Sequence, residues 1–187
     1  MIYVCEKSFT GIGGLFLVET LTYEVLRKVG SVEIRRYPKI VVAKVTDPEA
    51  DGFDLLFKFI TGHNIRKEKV QMTAPVVSEK IAMTSPVLSD NTSISFVMPK
   101  DLPFEKVPEP LDIRVKIEEI PSRTVGALCF SGGWSEKHFE KETQELLSEL
   151  SKAGVKTKGS VFTMLYNPPY IPGFLRRNEV AVKVEGK

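Results

Sequence analysis

Residues 40–46 read Ile-Val-Val-Ala-Lys-Val-Thr and residues 124–131 read Thr-Val-Gly-Ala-Leu-Cys-Phe-Ser. Both are short, largely apolar runs of strand length, the pattern of buried central strands. Each leads into a helix. After the first, Asp51 is placed to cap a helix over Phe53–Thr61 that Gly62 ends. After the second, Gly132 and Gly133 turn the chain and Ser135 is placed as the next cap. Phe139, Thr143, Leu146, Leu147 and Leu150 then make one apolar stripe that Gly154 closes. A strand-then-helix unit therefore occurs twice.

The flanks repeat the plan. Tyr23–Lys28 and Ser31–Tyr37 form a hairpin around Gly30, with Val32 and Ile34 alternating with Glu33 and Arg35, and Pro38 ends it. Ser93–Met98, Ile113–Ile117, Val161–Tyr166 and Val180–Val184 read as further strands. Residues 69–78 (KVQMTAPVVS) and 80–89 (KIAMTSPVLS) echo each other at an offset of eleven, each a strand segment ended by proline. Two copies of so short a unit do not make a solenoid. Pro99–Pro110 joins the halves, and a proline-rich loop, Asn167–Phe174, precedes the last strand. The pattern predicts a pseudo-symmetric α+β domain, its sheet curled around a core and carrying two helices.

Composition narrows the function. At 187 residues with net charge +2, the chain is long enough for a metal-free, disulfide-free core and is not a strongly basic nucleic-acid binder. Two cysteines, Cys5 and Cys129, leave their pairing open and make no disulfide framework. The two histidines, His63 and His138, offer few metal ligands. No zinc-type spacing, P-loop, nucleophile elbow or dinucleotide fingerprint occurs. The apolar run Gly11–Val18 is far short of the roughly 20 residues that span a bilayer. Residues 1–18 are expected to be an N-terminal arm and 19–187 a single domain of a soluble, cytoplasmic, mostly monomeric protein.

Nine short motifs occur in order: Tyr23–Leu26, Ile34–Pro38, Gly62–Asn64, the doubled Met-Thr-x-Pro-Val at 72–76 and 83–87, Phe96–Pro99, Phe130–Gly132, Tyr166–Pro169 and Arg176–Val180. With these motifs the sequence resembles the SOUL haem-binding protein family from about Glu19 to the last strand. The resemblance implies a distorted β-barrel of about eight strands with two helices, built from two similar halves like the GyrI-type effector-binding fold. It also implies non-enzymatic binding of haem or a related porphyrin, non-covalent, exchangeable and not needed for folding. The expected partner is then a small tetrapyrrole, with no nucleic acid, no membrane insertion and any protein partner unknown.

In that family the ring lies against the first helix and the loop before the last strand. By helical spacing, Phe53, Leu56, Phe57 and Ile60 share the core face. Leu55 and Phe59 are then the spare apolar residues beside the cation Lys58. In the loop, Tyr170, Ile171 and Phe174 are placed to cover the ring, with Arg176 or Arg177 for a propionate. Each has a plainer reading: packing under the arm for Leu55 and Phe59, a solvated charge for Lys58, and carboxylate pairing or sheet-end capping for the two arginines. His63 is the nearer candidate axial ligand, although a histidine at a helix end also simply complements the helix dipole. His138 reads better as a surface residue, Met72 and Met83 as core filling, and Cys129 as a small buried hydrophobe. A GyrI-like effector-binding or hydrolytic domain is the alternative; it requires a buried acid in a cleft between the halves. A protein-interaction module using loop 99–110 or 167–174 is the third reading.

Overall fold

The computed structural model describes residues 19–46, 51–80 and 92–185. Residues 1–18, Cys5 among them, and the whole second Met-Thr-x-Pro-Val copy at 83–87, Met83 included, lie outside this range. The strands are β1 (Glu19–Thr20), β2 (Glu24–Val29), β3 (Val32–Tyr37), β4 (Ile40–Thr46), β5 (Thr73–Lys80), β6 (Thr92–Val97), β7 (Val115–Ile120), β8 (Arg123–Phe130), β9 (Thr157–Leu165) and β10 (Asn178–Val184). Helix α1 spans Gly52–Ile60 and α2 spans Glu136–Lys152.

All ten strands belong to one sheet, ordered β2-β3-β8-β10-β9-β5-β6-β4-β7, with β1 pairing separately in parallel with β5. Read outward from the β9–β5 pair, this order is a palindrome. β10 corresponds to β6, β8 to β4 and β3 to β7. Each half-sheet therefore takes its outer strand from the other half of the sequence, which ties the halves together. The two runs quoted first, now β4 and β8, occupy equivalent inner positions. Their residues are buried because helices cover one face and the curled interior covers the other. The end strands β2 and β7 pair with neighbours on one side only, so the expected barrel is an open curl rather than a closed one.

The helices sit on the outer face. α1 packs on β4, β6 and β7; α2 packs on β3, β8 and β10. Alternation along each strand separates two sets of side chains. Val32, Ile34, Leu128, Val180 and Val182 meet Leu146 and Leu150 of α2. Tyr37, Val125, Ala127, Phe162, Met164 and Ala181 face the inside.

Four sequence expectations shift. The buried side of α1 is Leu55, Leu56, Phe59 and Ile60, while Phe53 and Phe57 are 45% and 48% exposed and stack on each other at 6.3 Å. Phe53 reaches the sheet only edge-on, against Phe96. Pro75 does not end a strand; it lies inside β5, where the register with β6 shifts between Thr73 and Val76. A proline lacks the ladder N–H and is tolerated at such an irregularity. β7 starts at Val115, not at Ile113, because the Asp112 carboxylate accepts from the Arg114 backbone N–H at 2.9 Å and holds a turn there. Neither Asp51 nor Ser135 makes a side-chain cap; Asp51 pairs instead with Arg114 at 3.2 Å.

Candidate functional site

Three features stand out: a charged network inside the curl, a small cavity beside α1, and an apolar loop before β10.

The network is centred on Glu179 of β10 and Arg35 of β3, both fully buried. Arg35 Nη1 donates to Glu179 Oε2 at 2.8 Å, and Arg35 Nε donates to Glu33 at 2.9 Å. Arg177 donates to Glu179 Oε1 at 2.7 Å and 3.1 Å, and Tyr166 donates its hydroxyl to Oε2 at 3.0 Å. Both carboxylate oxygens of Glu179 are thus occupied. Tyr23 lies over Arg35 at 4.2 Å and accepts from Arg177 at 3.0 Å. Burial opposes the charge on Arg35, but the neighbouring Glu179 outweighs it and raises that pKa. Burial, then the Glu179 charge, pushes the Tyr37 hydroxyl up to about 12 and holds Tyr166 well above its ordinary value.

The cavity is about 170 Å³, lined by Leu55, Lys58 and Phe59 of α1, by His63, and by Asp51, Pro110, Asp112, Arg114 and Val115. Arg114 forks onto Asp112 at 2.9 Å and 3.1 Å, which lowers the Asp112 carboxyl to about 2. Four of the residues expected at the site are therefore brought together here. The space is below the roughly 300 Å³ at which pockets for drug-sized ligands begin, so it does not enclose a tetrapyrrole. Leu55 and Phe59 are not spare: they belong to the buried α1 cluster with Ala43, Val45 and Phe96. Lys58 and His63 make no side-chain hydrogen bond or ion pair among the described residues.

The loop after β9 carries the remaining candidates. Tyr170 and Phe174 are each 76% exposed and Leu175 is 62% exposed, while Ile171 is half-buried. Arg176 donates to the carbonyls of Ile171 and Pro169 and lies over the Trp134 ring at 4.3 Å. Arg177 is held by Glu179. Both arginines thus have partners, Arg177 a carboxylate and Arg176 two loop carbonyls and an indole ring.

The loop packs against the turn before α2, where Gly132 N–H donates to Gly173 at 2.9 Å. It stands at the same end of the sheet as the C-terminus of α1. Val70 N–H donates to Ile60, delivering the chain from α1 to Thr73, and Leu165 at the end of β9 pairs with Val76.

His138 sits between the Gly133 carbonyl (3.2 Å) and Glu142 (3.5 Å), away from α1. Met72 packs against the α1 cluster and Cys129 is half-buried on β8. Among the described residues, no group of three or more His, Cys, Asp or Glu side chains is arranged to hold a metal ion. Glu179 was missed by sequence reasoning, although Arg176–Val180 was noted as a motif. An acidic residue directly before the apolar Val180–Val182 run was the available signal.

The sequence profile described as "SOUL heme-binding protein" matches residues 18–183. The chain belongs to this haem-binding family. It is 33% identical over 159 residues to "Heme-binding protein 2" of Homo sapiens, covering 81% of this chain and 77% of that protein. It is 26% identical over 174 residues to "Heme-binding protein 1" of Sus scrofa, covering 87% and 91%. The fold of this SOUL chain is also similar to the crystal structure of the EcmrR C-terminal domain, with a TM-score of 0.60 at 11% identity over 83% of this chain and 98% of that one. That likeness supports the GyrI-like architecture and extends to the fold alone. Among the described residues, no helix is long and apolar enough to cross a membrane.

Proposed function

We propose that this SOUL protein binds haem or a related tetrapyrrole reversibly and without chemistry of its own. The observation that carries the reading is the exposed apolar tip Tyr170, Phe174 and Leu175 on a loop held by hydrogen bonds at its base. A flat apolar ring would cover this tip and lie towards the C-terminal end of α1. Lys58 would face a propionate, and His63, which lines the cavity with Lys58, would approach the iron; His138 stands at the same end, beside the Gly132–Gly173 contact, but is engaged by the Gly133 carbonyl and Glu142. The site is a surface rather than a closed pocket, which supports exchangeable binding. Belonging to a haem-binding family supports the ligand class.

The hydrolytic alternative needs a buried acid available to a substrate. Glu179 is buried inside the curl, but two guanidinium groups and a phenol occupy its oxygens. That arrangement favours a binding protein over an enzyme.

The test is an absorbance titration of the apo-protein with ferric haem and with metal-free protoporphyrin. Saturation at one equivalent is expected, weakened in a Tyr170→Ala, Phe174→Ala double variant. A linear response like that of an unrelated protein would reject the reading.

A further inference from the structure

Arg176 and Trp134 are placed to organise the apolar tip rather than to touch an anion. Arg176 Nε donates to the Ile171 carbonyl at 2.6 Å, and its Nη2 donates to that of Pro169. The two bonds clamp the backbone of the turn that carries Tyr170. The same guanidinium stacks on Trp134 at 4.3 Å. Trp134 is fixed from below, its Nε1 donating to Asn178 Oδ1 at 2.9 Å, and the fully buried Asn178 donates to the Gly132 carbonyl at 3.2 Å. Gly132 in turn donates to Gly173. There the backbones touch: a Cβ on Gly173 would lie 3.2 Å from the Gly132 carbonyl carbon. The turn before α2 and the loop before β10 are thus zipped together by side-chain and backbone bonds.

We infer that Arg176 and Trp134 are positioning residues for the ring-binding surface, resting on the tetrapyrrole reading above. Their bonds hold Tyr170, Phe174 and Leu175 outward before any ligand arrives, so binding costs less ordering entropy. A lysine cannot make this contact. Its single ammonium can neither bridge two carbonyls with a fork nor lie flat on an indole.

The experiment compares wild type, Arg176→Lys, Trp134→Phe and Trp134→Ala. Each is titrated with ferric haem and with metal-free protoporphyrin dimethyl ester, which carries no propionate charge. Arg176→Lys and Trp134→Ala should lose on the order of tenfold in affinity. The loss should be the same for both ligands, and Trp134→Phe should recover part of it. Amide exchange of the unliganded proteins provides the second readout. The Ile171, Leu175 and Arg176 amides, bonded to Pro168, Pro172 and Gly173, should exchange faster in Arg176→Lys while those of β8 and β10 do not.

If Arg176→Lys binds both ligands like wild type, or loses affinity only for the charged one, the positioning role is wrong. Unchanged loop exchange would also overturn it. A wild type that binds neither porphyrin rejects the function reading, a result distinct from a binding wild type with an indifferent Arg176→Lys.

Discussion

Arg35 and Glu179 face each other at 2.8 Å inside the curled sheet, each fully buried, although their strands are not neighbours. β8 runs between them, and the pair reaches across it where its inward residues are Val125 and Ala127. Two charges out of water hold only when their remaining hydrogen-bonding groups are met. Glu33, Tyr166 and Arg177 meet most of them, while Arg35 Nη2 has no hydrogen-bond partner among the described residues.

Removing the acid should therefore be far worse than removing the pair. Glu179→Gln leaves a buried guanidinium without its counter-charge and should cost about 3–5 kcal/mol. Arg35→Met combined with Glu179→Met replaces the pair by apolar volume and should recover much of that loss. Arg177, being partly exposed, can then turn to water. Denaturant unfolding of Arg35→Met, Glu179→Met and the double variant measures the coupling. Additive single effects would mean that the pair is not coupled.

The tyrosines around Glu179 report on the same network. Tyr37 ionises only at about 12 in the folded chain, and Tyr166 is also held high, both chiefly through burial. In the unfolded chain both ionise at about 10. The folded state therefore binds more protons above that value. The stability concerned is fully present below about pH 10 and falls as pH rises towards 12. A tyrosinate absorbance titration should show Tyr37 and Tyr166 ionising late, together with loss of the fold. If all five tyrosines of the chain titrate together near the ordinary value, the burial argument fails.

The doubled strand-helix unit, the β2–β3 hairpin and both helices were legible because alternation, helical spacing and glycine stops are local signals. The exchange of β3 and β7 between the half-sheets was not, because pairing partners leave no mark in a single strand. The face of α1 was misjudged for a related reason. Phe53 and Phe57 lie on one arc with Leu56 and Ile60, and nothing local says that Leu55 and Phe59 turn to the sheet instead. Tertiary packing decides that: α1 lies on β4, β6 and β7, and Leu55 and Phe59 join the cluster with Ala43, Val45 and Phe96. Of the residues expected at a ligand surface, Tyr170, Phe174 and Lys58 are exposed, while Leu55 and Phe59 are buried. The stacking of Arg176 on Trp134 joins residues distant in sequence, whereas Arg177 and Glu179 are two residues apart and only the inward turn of that strand face brings them to Arg35.

The revised α1 face can be checked directly. Phe59 is 1% exposed and Phe57 48%. Phe59→Ala should cost about 3–5 kcal/mol by opening a cavity in the buried cluster, whereas Phe57→Ala should fall within the small range of surface changes, about 0.5 kcal/mol. Equal losses from both would mean that Phe57 is covered in solution.

Lys58 tests which part of a tetrapyrrole reaches α1. It lines the small cavity with His63 and, among the described residues, has no side-chain partner. A propionate placed there would gain an exposed ion pair, worth about 1 kcal/mol or less. Lys58→Glu replaces this attraction by repulsion, so haem affinity should fall several-fold. The dimethyl ester should bind Lys58→Glu and wild type alike, because it presents no charge to either. Raising the salt concentration should narrow the difference for haem, since exposed charges are screened. Equal haem affinities at low salt would move the propionates away from α1 and leave the Tyr170–Leu175 tip as the binding surface.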